Sequence, residues 1–268
     1  MKKKPRSAPR RGPRAPNGLE AVHGVHAVRA LLARGEAPRE LWLQEGEAAG
    51  RLAELVEQAR ARGARVTTHP RDDLDRLAQG AAHQGVIAFC PPLAFEAEAA
   101  LWHRLQGWTA PEAPLLLVLD GITDVHNFGA CLRSADAAGV HGVVVPKDKS
   151  APLNATVRKV ACGAAEAVPV YQVTNLARAL DKLKALGVWI TGTAGEAEAS
   201  LFEVDLRGAT ALVMGAEGKG MRRLTREACD QLVKLPMVGS VSSLNVSVAT
   251  GIGLFEAVRQ RSSAPEAR

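Results

Sequence analysis

Short apolar runs separated by helical stretches recur through the second half of the chain, and they constrain its fold most strongly. The clearest is LLLVLD at 115–120, an unbroken apolar segment typical of a strand covered on both faces. Similar runs occupy 142–146, 167–173, 188–193, 211–215 and 231–236. Their alternation with helical segments indicates a mostly parallel sheet with helices on both faces. The sequence therefore predicts an α/β domain over 114–262.

A smaller α/β domain is predicted over 19–94. The segment GVHAVRALLARG has helical spacing, and the strand patterns RELWLQ, ARVTTH and GVIAFC alternate with two further helices. The last of these helices starts at Pro70 with an acid-rich first turn, as helix N-termini prefer. Residues 95–113, a helical stretch followed by the breaker-rich TAPEAP, are predicted to link the two domains.

The net charge of +6 is concentrated in residues 1–18, which hold seven Lys or Arg and no acid. Without them the chain has 27 basic and 28 acidic residues, so the body is nearly neutral. A Pro/Arg-rich tail with nothing to bury is predicted to be disordered, as is the short tail at 263–268. A basic arm suits nucleic-acid phosphates, but a purely solubilising role is equally consistent with the composition.

Several classes of protein are excluded by composition. No run approaches the roughly 18 apolar residues of a membrane span, and there is no apolar core of a secretory signal. The four cysteines are far apart and form no C-x-x-C pair, which favours reduced, buried thiols. We therefore expect a cytoplasmic protein without membrane association and without a bound metal.

The chemistry is expected where the strands end, because ligands of parallel sheets bind beyond the carboxyl ends of the strands. The first strand is followed by Asn127, Gly129 and Arg133 in the turn into a helix. An arginine there offers a permanently charged fork for a phosphate or an oxyanion. The alternative is an ion pair between Arg133 and Asp120 or Asp136.

Two further strand ends are rich in glycine, GTAGEA and GAEGKG, which allows a ligand to approach the backbone closely. Neither has the order of a dinucleotide-binding turn or a P-loop, since Lys219 is followed by Gly220 rather than Ser or Thr. This argues against a dinucleotide-dependent dehydrogenase. Glu217, between the glycines, could hold a hydroxyl or complement a cation.

The segment SVSSLN at 240–245 precedes the last helix and is unusually rich in small polar side chains. Such residues cap helices by accepting hydrogen bonds from free backbone amides. Capping explains one of them, not the whole cluster. We therefore interpret the segment as both a helix start and a binding loop.

Together these strings resemble the SPOUT superfamily, specifically the TrmH-type ribose 2′-O-methyltransferases of RNA. The three family motifs read NFGACLR at 127–133, VMGAEGKGM at 213–221 and LPMVGSVSSLNVSVA at 235–249. Longer strings, such as CLRSADAAGVHGVVVPKD and GSVSSLNVSVATG, resemble the members that methylate a guanosine ribose in the peptidyl-transferase region of 23S rRNA. The resemblance covers about residues 20–262.

The resemblance implies a SPOUT domain with a deep trefoil knot, a small N-terminal substrate-binding domain, S-adenosylmethionine as cofactor, and a homodimer whose active sites use residues of both subunits. It assigns catalysis to Asn127, Arg133, Glu217, Ser243 and Asn245, and cofactor binding to Thr193, Gly215, Leu235 and Leu244. Because a guanidinium keeps its proton up to about pH 12, stabilisation of the alkoxide or proton transfer to a phosphate is easier for Arg133 than acting as a base.

The expected partner is 23S rRNA or a precursor of the large ribosomal subunit. Arg29, Arg34, Arg39 and the basic arm are the candidate contacts, with Trp42 the main candidate for base stacking. Contacts to RNA shape and backbone are more plausible than a stacking platform. Two alternatives remain, a methyltransferase of tRNA or another rRNA site, and a non-catalytic RNA-binding assembly factor.

Overall fold

The computed structural model describes Pro16 and residues 18–33, 37–46 and 50–262. By its internal contacts the chain divides into two compact units, Met1–Pro92 and Leu93–Arg268. The predicted tails, apart from Pro16 and Gly18, and the predicted RNA contact Arg34 lie outside the described residues. Within the described part of the chain, none of the helices is long and apolar enough to cross a membrane.

The smaller unit is a four-stranded sheet with helices on both faces. Its elements are β1 (Glu20–His23), α1 (Val25–Ala33), β2 (Glu40–Gln44), α2 (Ala53–Ala61), β3 (Arg65–His69), α3 (Arg71–Ala78) and β4 (Val86–Cys90). The strand order is β1-β4-β2-β3, with β4 antiparallel to both neighbours and β2 parallel to β3. Leu31 and Leu55 of α1 and α2 pack in one core cluster, and Leu74 of α3 packs in the other. The sequence interpretation missed β1, and Pro70 is the N-cap of α3.

Trp42 corrects one of the predictions about RNA binding. Its side chain is only 8% exposed, stacks on His69 with ring centroids 3.7 Å apart, and meets the edge of Phe89. A strand residue between two aromatic partners packs in the core, so Trp42 cannot stack on a base without unfolding its surroundings. Arg29 and Arg39, in contrast, are exposed as expected.

The larger unit is built on eight strands. Its elements are β5 (Glu96–Ala97), α4 (Glu98–Gln106), β6 (Leu115–Asp120), α5 (Val125–Ala137), β7 (Gly142–Pro146), α6 (Ala155–Ala161), α7 (Ala164–Ala167), β8 (Val170–Val173), α8 (Leu176–Ala185), β9 (Trp189–Thr193), β10 (Ala199–Ser200), a 3-10 turn (Leu201–Glu203), β11 (Thr210–Gly215), α9 (Arg223–Glu227), β12 (Gln231–Lys234) and α10 (Val246–Ser262). The strand order is β10-β12-β9-β11-β6-β7-β8-β5, and all the pairs are parallel.

Both faces of this sheet are covered, which explains the unbroken apolar runs. Phe128 of α5, Val157 of α6 and Leu254 of α10 belong to the core cluster on one face. Leu101 of α4 and Leu180 of α8 belong to the cluster on the other. The predicted α/β fold with a parallel sheet is confirmed.

The segment 95–113 differs from a simple linker. Strand β5 pairs with β8 at the edge of the sheet, and Leu101 in α4 is fully buried. Because the pattern of α4 is only weakly amphipathic, its packing partner could not be identified from the sequence. The segment belongs by its contacts to the larger unit.

The order of the strands decides where their loops meet. Strand β11 lies between β9 and β6, and β12 lies on the other side of β9. The carboxyl ends of β12, β9 and β11 are therefore neighbours, although 22 to 41 residues of sequence separate Thr193 from Gly215 and Lys234.

Candidate active site

A cleft of about 460 Å³ opens where β9, β11 and β12 end. It is lined by the residues that follow each of these strands and by the start of α10. All four predicted cofactor-binding residues, Thr193, Gly215, Leu235 and Leu244, line it. The volume lies within the range of roughly 300–1,000 Å³ that small-molecule sites occupy.

Gly215 is required by the backbone that lies against it. The loop after β11 folds back on itself, with paired hydrogen bonds of 3.1 and 2.7 Å between the backbones of Ala216 and Gly220. A Cβ on Gly215 would lie 2.2 Å from the carbonyl carbon of Gly220 and the amide nitrogen of Met221. Only glycine fits, so the close approach predicted from the glycine-rich strand end is made by the protein's own loop.

Thr193 joins the two central strands of the cleft. Its hydroxyl donates to the carbonyl of Val213 at 3.0 Å. Since the single hydroxyl proton is used in this bond, Thr193 can offer a ligand only an acceptor oxygen. Met214, Leu235 and Leu244 add apolar side chains to the same cleft.

The side of the cleft formed by α9 is anchored by a buried carboxylate. Asp120, at the end of β6, is 1% exposed and accepts from the backbone amide and Nε of Arg222 at 2.8 and 2.6 Å. This pair fixes the start of α9, a helix too short to hold its own position. The sequence offered Asp120 only as a partner of Arg133, and the structure gives it to Arg222 instead.

Three of the predicted catalytic residues form a hydrogen-bonded chain. Asn245 Nδ2 donates to Asn127 Oδ1 at 2.9 Å, and Asn127 Nδ2 donates to Glu217 Oε2 at 3.5 Å. Asn245 Oδ1 accepts from the backbone amide of Ser247 at 2.9 Å, which orients the amide group. Each group therefore donates to the next, and the last donor, Asn127 Nδ2, reaches the carboxylate of Glu217.

The same hydrogen-bonded chain links the starts of the two helices α5 and α10. Asn127 lies in the first turn of α5, whose N-cap Asp124 accepts from the Asn127 backbone amide at 2.7 Å. Asn245 immediately precedes α10 and bonds to its first turn. Helix N-termini carry partial positive charge, so two of them favour negative charge in their vicinity. The SVSSLN segment thus both starts a helix and, through Ser242, Ser243 and Leu244, lines the cleft.

Arg133 lies apart from this hydrogen-bonded chain of side chains. Its side chain is exposed, and Nη1 contacts Cys162 Sγ at 3.6 Å. Cys162 occupies the corner between α6 and α7 and has a left-handed backbone conformation, with φ of 53°. In the part of the chain that the structure describes, Arg133 forms no ion pair with Asp120 or Asp136, so the ion-pair alternative is not supported. Of the predicted catalytic residues, Glu217 and Ser243 line the cleft. Asn127 and Asn245 are linked to it through their hydrogen bonds towards Glu217, and Arg133 is not.

The thiols differ from one another. Burial raises the pKa of Cys131, and also that of Cys229, to about 11. Cys90 is buried as well, whereas Cys162 is exposed, which contradicts the expectation of buried thiols at this position. All four are free. Among the described residues there is no group of three or more metal-ligating side chains.

Comparison with protein families identifies the two units separately. The SpoU rRNA methylase family model matches residues 114–255. The model for RNA 2′-O ribose methyltransferase substrate binding matches residues 21–96. The first match covers more than half of the chain and includes every predicted site residue. The chain belongs to the SpoU rRNA methylase family.

Individual proteins agree with this assignment. The chain is 58% identical over 243 residues to the 23S rRNA (guanosine-2′-O-)-methyltransferase RlmB of Pseudomonas aeruginosa, covering 90% of this chain and 97% of that protein. It is 55% identical to RlmB of Escherichia coli K12, covering 91% and 99%. Among solved structures, the SpoU methyltransferase AviRb of Streptomyces viridochromogenes in complex with AdoMet has a TM-score of 0.72 at 27% identity and covers 92% of each chain.

Proposed function

We propose that this SpoU-family chain is an S-adenosylmethionine-dependent methyltransferase of a guanosine ribose 2′-hydroxyl in 23S rRNA, at the peptidyl-transferase region. The observation that carries this proposal is the cleft at the ends of β9, β11 and β12, lined by the residues that the sequence motifs assigned to the cofactor. It is supported by RlmB relatives that match almost the whole of both chains.

The cleft fits the cofactor chemically. Apolar side chains of Met214, Leu235 and Leu244 suit an adenine ring, and Thr193 can accept from a hydroxyl. Glu217 adds a carboxylate to the cleft, where it can interact with a positive charge on the ligand. When bound, S-adenosylmethionine supplies a methyl group on a positively charged sulfur.

The hydrogen-bonded chain positions the charge of Glu217. Asn127 donates to Glu217 and itself accepts from Asn245, and the starts of α5 and α10 add positive potential. These interactions fix the direction in which the Glu217 carboxylate points. Ser243, on the exposed edge of the same cleft, is placed to hydrogen-bond the RNA sugar.

Arg133 supplies the positive charge that the reaction needs at the ribose oxygen. When the 2′-hydroxyl gives its proton to an RNA phosphate or to water, negative charge develops on the 2′-oxygen. A fixed guanidinium stabilises this charge until the oxygen takes the methyl group. In one copy of the chain Arg133 points to Cys162 rather than into the cleft. We therefore propose that it serves the cleft of a second subunit.

A homodimer also explains exposed apolar residues of the larger unit. Val248 and Phe255, seven residues apart on α10, are 51% and 50% exposed, and Val241 in the preceding loop is 59% exposed. An apolar stripe of this kind is typical of a protein interface. We propose that α10 packs against its counterpart, and that the deep trefoil knot of the family is formed by the segments around the cleft.

The rRNA proposal is tested by mass spectrometry of rRNA fragments from cells with and without this protein. In cells without the protein, one rRNA fragment from the peptidyl-transferase region should be lighter by about 14 mass units, because one guanosine lacks its methyl group. The purified protein with labelled cofactor should restore that methyl group. Methyl incorporation into tRNA alone would refute the choice of substrate.

The shared active site is tested by complementation. Arg133→Ala and Glu217→Ala should each be inactive as homodimers. A mixed dimer combines one Arg133→Ala subunit with one Glu217→Ala subunit, and two different tags on the co-expressed subunits allow its purification. If Arg133 acts across the interface, one of the two clefts has both an intact Glu217 and an intact Arg133. Such a dimer should regain about half of the wild-type activity. An inactive mixed dimer would mean that Arg133 acts within its own subunit.

A further inference from the structure

An ion pair joins two segments that line the cofactor cleft. Glu196 lies in the turn after β9, and Arg226 lies on α9, beyond the loop that follows β11. Arg226 Nη1 contacts Glu196 Oε1, and both residues line the cleft. The two side chains are 39% and 62% exposed for Arg226 and Glu196, so the pair lies at the rim rather than in the interior.

The two ends of this pair are held differently. Arg226 is carried by α9, which is fixed at its start by the buried Asp120 through Arg222. Arg226 is bonded to Arg222 through its backbone amide at 2.9 Å. Glu196 instead lies at the exposed tip of a short turn directly after Thr193. The turn is closed by the 3.1 Å bond from Ala197 N to Ala194 O, and its base is held to β12 by the 2.9 Å bond from Ala194 N to Val233 O. The ion pair therefore ties an exposed turn to an anchored helix.

The geometry points to Glu196 and Arg226 as positioning residues that form a latch on the cofactor cleft. The closed pair holds the tip of the turn after β9, Gly195 and Glu196, against the cleft, and it opens when S-adenosylmethionine leaves. This inference rests on the proposed cofactor role of the cleft. It adds two residues outside the three sequence motifs.

The test measures release of S-adenosylmethionine from the full-length protein by stopped flow, with the affinity measured by calorimetry. Glu196→Gln and Arg226→Gln should each accelerate release about two- to fivefold, the range expected for an exposed ion pair. The double variant should release no faster than either single variant. The exchanged pair, Glu196→Arg with Arg226→Glu, should restore slow release.

Salt provides a second readout. Raising the KCl concentration from about 0.05 to about 0.5 M should accelerate release from the wild type but not from Glu196→Gln, because screening then has no pair to weaken. The matched control is the ion pair between Arg223 and Glu227, also on α9 but outside the cleft lining. Arg223→Gln and Glu227→Gln should release the cofactor at the wild-type rate.

The outcomes separate the latch from the function on which it rests. Additive effects without rescue by the exchanged pair, or wild-type release from every variant, would overturn the latch while cofactor binding stands. Failure of the wild type to bind S-adenosylmethionine would overturn the proposed function itself.

Discussion

Asn127 and Arg133 lie on the same helix, six residues apart, yet their surroundings differ. Asn127 is bonded on both sides, to Asn245 and towards Glu217, at the edge of a cleft that one chain completes. Arg133 is exposed, and its guanidinium contacts the sulfur of Cys162. One copy of the chain therefore builds the cleft but leaves Arg133 outside it.

We expect the largest effect when the second copy of the chain cannot supply its Arg133. Phe255→Glu places a charge on the exposed apolar face of α10 and should convert the protein to monomers in analytical ultracentrifugation. Methyl transfer should fall by about 10²–10³, the loss typical of a missing charge-stabilising group. Affinity for S-adenosylmethionine should change much less.

Phe202→Glu is the matched control, because Phe202 is equally exposed but lies in the 3-10 turn rather than on α10. It should remain dimeric and active. A monomeric Phe255→Glu protein with full activity would show that Arg133 needs no partner.

The cleft itself is disrupted at Gly215. In Gly215→Ala the new Cβ would overlap the backbone of Gly220 and Met221, so the loop after β11 must move. We expect a stability loss of about 1–3 kcal/mol, measured by urea unfolding, and at least a tenfold weaker affinity for S-adenosylmethionine. Gly208→Ala, where nothing lies within 4 Å of the new Cβ, should show neither effect.

The hydrogen-bonded chain is interrupted at Asn245. Asn245→Ala removes both the cap of α10 and the link to Asn127, and should lower kcat about tenfold, as expected for the loss of one or two hydrogen bonds. Asn175→Ala removes a comparable cap, since Asn175 accepts from the Arg178 amide at 3.1 Å at the start of α8. Both variants should lose about 1 kcal/mol of stability. Only the first should lose activity.

We expect the smallest effect from modification of the thiols, and Cys131 and Cys162 should differ in their reactivity. Cys131, with its pKa raised to about 11, should be only about 0.1% thiolate at about pH 8, whereas Cys162 is exposed beside Arg133. Brief treatment with iodoacetamide should therefore modify Cys162 first, as peptide mass spectrometry would report. Activity should fall by a few-fold because the adduct crowds Arg133. Preferential labelling of Cys131 would contradict the burial described for it.

The amino-acid sequence predicted the fold class from its local patterns, and its resemblance to a family proposed the cofactor-binding residues. Short apolar runs that alternate with helical stretches are typical of strands in a parallel sheet covered on both faces. The residues that follow the carboxyl ends of such strands lie at the edge of the sheet where ligands bind. These are local patterns, so they are legible in one chain. Thr193, Gly215, Leu235 and Leu244 were accordingly found together.

Which distant groups became partners depended on the folded arrangement of the strands and helices. Asp120 met Arg222 rather than Arg133, Trp42 was buried between aromatic rings, and α4 packed on the sheet. The pair of Glu196 and Arg226 also arose from strand order, because β11 lies beside β9 only in the folded sheet. Such contacts depend on how elements far apart in sequence are arranged in space, and periodicity along a chain carries no record of that arrangement.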